Sequence, residues 1–280
     1  MQRQIEEKDG KWSREFRLQF EEKGHKYTLL KKEGEPFEQE LMSVTQIIQA
    51  AGLTPNYPRN EAGNFAMTRG SYVHEATEGF DKGILIEDEL DPALQPYLNS
   101  WKDFRESFGV SDDNFVAIEL PVFNRQFGYA GTIDRIMKIQ FPGSHGTSKV
   151  VLADIKTGQP SDWHAIQTAG YALGYPDDYT ILPCVTSDGG KPIHFNFTHG
   201  CMKDWPTHDS YWNESNGPPA FGPHREKIGE DFPLNKFIEG RMAVYLSPDG
   251  FTVENYNNKH DFNIFKSAAL IASWKKGRKK

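Results

Sequence analysis

Residues 149–156 read Lys-Val-Val-Leu-Ala-Asp-Ile-Lys. Val150 to Ala153 is an unbroken apolar run, the pattern of a strand entering a core. With no turn residue between, the chain then places a carboxylate and an ammonium one residue apart. Residues two apart on a strand point to the same face, so Asp154 and Lys156 share one space at a buried strand end. A buried charge without a partner is costly. Each of the two therefore has a partner or a task, and the plainest alternative is a structural ion pair.

The rest of the composition narrows what that task is. The chain has 280 residues, 37% hydrophobic and 13% aromatic, enough to bury a core and too much for a disordered chain. No apolar run reaches the roughly 18 residues of a membrane span, and the opening MQRQIEEKDGKWS lacks the apolar stretch of a secretory signal. Two cysteines, Cys184 and Cys201, are too few for a disulfide framework or an iron–sulfur cluster and read as free thiols in a reducing cytoplasm. The net charge of −7 argues against a surface coated for nucleic acid, yet five positive charges crowd into residues 275–280. A basic tail on an acidic body either meets a polyanion locally or is only a solvated end.

Along the chain the patterning predicts one domain over 1–280. Residues 16–20 and 27–30 read as the arms of a hairpin. Ser43 or Thr45 reads as the cap of a short helix, and 56–64 as a loop. Residues 69–82 and 93–107 read as helices, the first with Val73, Thr77 and Phe80 on one face and His74 and Glu78 on another. Three strands follow at 115–123, 127–141 and 149–156. Their short connections imply antiparallel neighbours. A helix over 162–174 and a strand over 179–186 complete the expected order of helix, three strands, helix, strand. Residues 187–233 lack periodicity and read as an irregular insertion. A Pro-Asp-Gly turn marks a hairpin over 243–253, and an amphipathic helix over 261–275 carries Phe265, Ala268, Ala269, Ile271, Ala272 and Trp274. His194, His199, Cys201 and His208 fit no compact zinc-ligand spacing, and the aromatics of that segment read as its own packing.

Gly131-Thr-Ile-Asp134 lies one strand before Asp154. If the register permits, the two carboxylates meet across the pair and raise each other's pKa, a penalty that a divalent cation removes. Hard cations such as Mg²⁺ and Mn²⁺ take carboxylate oxygens, water and phosphate. A protonated lysine beside them orients a water or offsets charge on a phosphate. Two acids, a lysine and a metal therefore suit phosphodiester hydrolysis.

Asp134, Asp154-Ile155-Lys156, the upstream Arg69-Gly-Ser-Tyr-Val-His74, Glu119-Leu-Pro121 and the helix Gln167-Thr-Ala-Gly-Tyr171 together resemble the PD-(D/E)XK nuclease superfamily. Within it the set is most similar to the RecB-type and phage recombination exonuclease branch, which also contains the mitochondrial genome maintenance exonuclease. The resemblance covers about residues 25–185 and implies a restriction-endonuclease-like αβββαβ core, an α/β fold with a mixed sheet flanked by helices. It implies Mg²⁺ or Mn²⁺ held by His74, Asp134, Asp154 and the Ile155 carbonyl, with Glu119 in a supporting or second-metal role. By the same resemblance Lys156 is the catalytic lysine, acting with Asp134 and Asp154, while Gln167 and Tyr171 support the site or contact DNA. The implied activity is that of an exonuclease acting on linear DNA with a free end in phage or bacterial recombination, repair or replication. A single-strand annealing or binding protein is a natural companion. An endonuclease or flap nuclease, and a non-catalytic DNA-binding module, are the rival readings. The cysteines that hold an iron–sulfur cluster in some relatives are absent, and 187–233 has no clear counterpart.

Overall fold

The structure is a computed structural model and describes residues 16–21, 26–31, 38–55, 60–143, 148–176 and 234–278. Among these residues it is an α/β fold in which helices flank a nine-stranded mixed sheet. The strand expected over 179–186, the insertion over 187–233, its histidines and Cys201 lie outside the described residues, as does Cys184.

The chain opens with the expected hairpin, β1 (Phe16–Glu21) against β2 (Lys26–Lys31). A strand that the sequence reading did not contain, β3 (Glu38–Ser43), runs antiparallel to β2. Its charged residues obscure the strand pattern, but Leu41 is buried. β3 ends at Ser43, which caps α1 (Val44–Ala51) through a capping box. The Gln46 amide donates to Ser43 Oγ at 3.1 Å, and the Ser43 amide donates to Gln46 Oε1 at 2.9 Å. Helix α2 (Glu61–Asp81) starts eight residues before the expected 69, capped by Asn60. The loop reading of 56–64 is therefore corrected over 61–64. Gly63, Asn64 and the exposed Phe65 and Met67 give that first turn no apolar stripe, because almost nothing packs on it. α3 (Gln95–Ser107) buries Tyr97, Leu98, Trp101 and Phe104 as its spacing predicts.

The three core strands are β4 (Phe115–Asn124), β5 (Tyr129–Gln140) and β6 (Ser148–Lys156), antiparallel in sequence order. α4 (Trp163–Ala172) follows, then the two-residue β7 (Tyr175–Pro176) on the far edge of β4. β8 (Gly240–Ser247) lies parallel to β6 and turns back into β9 (Gly250–Asn255) at the expected Pro-Asp-Gly. The sequence reading took β8 only as a hairpin arm. α5 (His260–Gly277) ends the described chain, burying Phe265, Ala268, Ala269 and Ala272. Ile271 and Trp274, expected on that apolar face, are instead 43% and 57% exposed.

Two layers cover the sheet. α1, α4 and α5 pack on one face with Val150, Leu152 and Ile136. α2 and α3 pack on the other with Val151, Ala153, Ile155 and Met137. The alternation along β6 thus sends Asp154 and Lys156 toward the α4 side. One edge of β5 pairs with β4 along nearly its whole length. The opposite edge is shared: β3 takes Tyr129 and Ala130, β6 takes Arg135 to Gln140, and Gly131–Asp134 between them have no strand partner on that edge among the described residues. The sheet splits there.

Among the described residues, no helix is long and apolar enough to cross a membrane.

Candidate metal and catalytic site

The split of the sheet is where the charged residues converge. β5 and β6 are in register with Arg135 opposite Ala153, so Asp134 comes opposite Asp154 just beyond the last ladder pair. β4 pairs Ile118 with Arg135 and Leu120 with Ile133, which sets Glu119 opposite Asp134 in a position the ladder skips. Glu119 adopts φ 52°, the only non-glycine residue with positive φ among the described residues. Ile118 then faces the α2/α3 layer, while Leu120 and Val122 face the other. The left-handed residue therefore changes the phase of β4. Backbone strain of this kind costs about 1–3 kcal/mol and persists where surroundings enforce it. Glu119, Asp134 and Asp154 thus hold neighbouring register positions on three adjacent strands; Glu119 and Asp134 fall in one ligand group with His74, and Asp154, expected as a ligand, does not.

Asp134 is central. It is 7% exposed. Its Oδ2 accepts the Ile155 amide at 2.6 Å, replacing the ladder bond that β6 loses as it leaves β5. In an extended strand the N–H and C=O of one residue point to the same side, so the Ile155 carbonyl also faces Asp134. Oδ1 lies 3.6 Å from His74 Nδ1 on α2. His74, Glu119 and Asp134 each offer a ligand atom within 4.8 Å of the others. Adjacent and opposite ligands of an octahedral ion with bonds of about 2.1 Å stand roughly 3–4.2 Å apart, so small side-chain movements close this set on one ion. Two carboxylates and an imidazole fit Mg²⁺ or Mn²⁺, the imidazole favouring the latter.

Asp154, 2% exposed, turns its Oδ2 to within 2.6 Å of Lys156 Nζ, an ion pair rather than a well-aligned hydrogen bond. The mutual pair considered from sequence is thus present, and it lies against the acid cluster. Burial pushes the Asp154 carboxyl up to about 6; Lys156 opposes that rise, and Asp134 adds to it. Burial and then the Asp134 charge push Glu119 up to about 8, against the pull of Arg135. The cluster therefore holds more negative charge than its setting stabilises, the condition that a cation relieves.

Gln167 and Tyr171 occupy one face of α4. Gln167 Nε2 lies 3.0 Å from the Tyr171 hydroxyl and 3.2 Å from Thr45 Oγ1 at the start of α1. Burial holds the Tyr171 hydroxyl well above its usual range, with the charges of Asp154 and Asp134 contributing. The Tyr171 ring fills the split beside Gly131, where an added Cβ would stand 2.7 Å from ring atom Cε1. Only glycine lets α4 approach β5 this closely.

Two groups near the site were not expected from sequence. Arg135 is fully buried and donates to Glu119 Oε1 at 3.1 Å. Its signal was available: a second charge directly after Asp134, between the apolar Ile133 and Ile136-Met137 of a core strand. His164, on α4, is 4% exposed and its Nδ1 lies 2.8 Å from the Tyr245 hydroxyl, which also meets Glu254 and Tyr256. Tyr245 neighbours Lys156 across the β6–β8 pair. Burial, with the Lys156 charge adding, pushes the His164 imidazole down to about 3. Between that value and the ordinary one near 6.5, the unfolded chain binds a proton that the folded chain refuses. Stability therefore falls as pH drops through this window, at most by about 1.4 kcal/mol per pH unit from this residue. His164→Gln is expected to flatten the loss in urea titrations between pH 6.5 and 4; an unchanged slope contradicts the buried neutral state.

Of the basic tail, Lys275 Nζ donates to the Ala50 carbonyl at 2.6 Å, at the C-terminal end of α1, and Lys276 Nζ to the Glu40 carbonyl at 3.4 Å. These two ammoniums tie α5 to the body, and Arg278 lies 4.5 Å over the Trp274 ring. No protein-family model matches this chain, and no curated protein matches it significantly.

Proposed function

We propose that the protein is a metal-dependent deoxyribonuclease of the PD-(D/E)XK type, hydrolysing phosphodiester bonds from the ends of linear DNA. The observation that carries this reading is the alignment of Glu119, Asp134 and Asp154 across three adjacent strands, with His74 and Lys156 closing on them where β3 and β6 part. The element order α3, β4, β5, β6, α4, β8, with β8 parallel to β6, supports a restriction-endonuclease-like core. A module that only binds DNA has no use for buried carboxylates that raise each other's proton affinity.

In this reading His74, Glu119 and Asp134 hold Mg²⁺ or Mn²⁺, with the Ile155 carbonyl and Asp154 beside them. When bound, the ion supplies Lewis-acid polarisation of a phosphoryl oxygen and acidifies a water. Lys156 places its ammonium against the same cluster, where it orients the attacking water and offsets charge building on the phosphate. Asp154 fixes the direction of that ammonium. Gln167 and Tyr171 brace α4 against Gly131 and α1, keeping the split of the sheet open at a constant width.

The test is incubation of the purified protein with matched linear and covalently closed circular DNA, in Mg²⁺, Mn²⁺ or EDTA. Linear DNA is expected to be degraded with either ion, more strongly with Mn²⁺, and circles spared. EDTA should stop the reaction. Rapid nicking of circles would replace the exonuclease by an endonuclease, and binding without cleavage in either ion would leave a non-catalytic module.

A further inference from the structure

Arg135 follows Asp134 on β5, and its guanidinium lies among side chains of α2 and α3. It has no solvent-exposed surface. Its Nε donates to Asp81 Oδ2 at 2.7 Å. Nη1 donates to the Asp134 carbonyl at 2.7 Å and to Glu119 Oε1 at 3.1 Å, and Nη2 lies 3.4 Å from Thr77 Oγ1. The guanidinium stands 5.7 Å over the Trp101 ring.

These partners belong to the elements that bear the candidate ligands. Glu119 is itself one, from β4. Asp134 is another, gripped here by its backbone. Thr77 and Asp81 follow His74 on α2 by three and seven residues, close to the same helix face, and Thr77 Oγ1 donates to the His74 carbonyl at 3.0 Å. One rigid, planar group thus spans all three elements. The charge balance points the same way. Asp81 is shared by Arg105 and Arg135, and Arg105 has a second acid in Asp112 at 2.6 Å. The second acid of Arg135 is Glu119.

We infer that Arg135 is the positioning residue of the divalent-cation site. Its fork sets the separation of α2 from β4 and β5 so that His74, Glu119 and Asp134 address one ion, and its contact with Oε1 keeps Glu119 aimed at that point. This rests on reading the three residues as a cation site; it does not need the nuclease chemistry.

Arg135→Lys keeps the charge and removes the fork, which a lysine cannot reproduce. Mn²⁺ titration of the full chain without DNA, read by loss of the free-ion EPR signal, gives affinity independently of cleavage. A urea midpoint measured on the same sample reports the fold. Arg135→Lys is expected to weaken Mn²⁺ binding by about 10- to 100-fold in protein that remains folded, the usual cost of losing a group that orients ligands. Added to Glu119→Gln, it should weaken binding less than it does alone, because the two act on one ligand. An affinity within twofold of wild type in folded Arg135→Lys overturns the inference, since a purely structural arginine would lower only the urea midpoint. If Arg135→Lys does not fold, Thr77→Val removes one contact to the guanidinium and one to the His74 carbonyl at nearly constant volume. It should weaken Mn²⁺ severalfold, and an unchanged affinity again overturns the role. Wild-type protein that binds Mn²⁺ and cleaves no DNA would remove the nuclease reading and leave the Arg135 inference to stand or fall on these variants. Wild-type protein that binds no Mn²⁺ would overturn it.

Discussion

Lys156→Ala is expected to lower DNA cleavage by about 10²- to 10³-fold, the usual loss when one group poised at developing charge is removed, while Mn²⁺ affinity stays within a few fold. The ammonium is 2.6 Å from Asp154 Oδ2 and is not among the grouped ligand atoms of His74, Glu119 and Asp134. Its removal leaves Asp154 buried beside Asp134 with no compensating charge. Lys156 now opposes the burial that pushes the Asp154 carboxyl up to about 6. Without it the carboxyl moves higher, which limits the structural damage while the ammonium is lost. Single-turnover cleavage at saturating DNA, paired with a Mn²⁺ titration, separates the two effects. Cleavage within tenfold of wild type would remove Lys156 from the mechanism. A parallel collapse of Mn²⁺ affinity would show instead that the ion pair holds the metal ligands.

Asp81→Ala is expected to cost about 3–5 kcal/mol of folding stability, the range for breaking a buried ion pair by removing one member. Asp81 Oδ1 accepts from Trp101 Nε1 at 2.9 Å and Arg105 Nη1 at 2.9 Å, and Oδ2 accepts from Arg135 Nε at 2.7 Å. Burial pushes its proton affinity up and the two arginines pull it back, so its ionised form depends on them. Alanine would leave two guanidinium groups and an indole N–H facing a cavity between α2, α3 and β5. The half-exposed pair Lys102–Glu87, at 2.5 Å, is the control. Its charges keep contact with water, and Glu87→Gln should cost less than about 1 kcal/mol. Urea unfolding at constant m-value measures both. A loss below about 1 kcal/mol for Asp81→Ala would mean that water or a shifted side chain replaces the carboxylate.

Local pattern was enough for most of the scaffold. The apolar run ending in Asp154 and Lys156 identified a buried strand, because burial on both faces leaves little room for polar residues. The two-residue period put both charges in one space, where they are found 2.6 Å apart. Spacing in α3 and the cap at Ser43 were legible for the same reason: each reflects contacts within a few residues. The start of α2 was not, since residues 61–68 are mostly exposed and carry no period. β3 was not, since its strand character comes from pairing with β2 and β5 and little from its own composition.

Tertiary structure decided the site. The sequence by itself determined that a carboxylate and an ammonium would end a buried strand, with a second carboxylate one strand away, because strand alternation is fixed by backbone stereochemistry. It did not determine that β3 and β6 would share one edge of β5 and part at Asp134, or that Glu119 would turn to positive φ opposite it. Nor did it determine that a fully buried Arg135 would tie both strands to the helix bearing His74. Those features depend on register between segments up to about a hundred residues apart, which follows from how whole faces pack and not from any local run of residues.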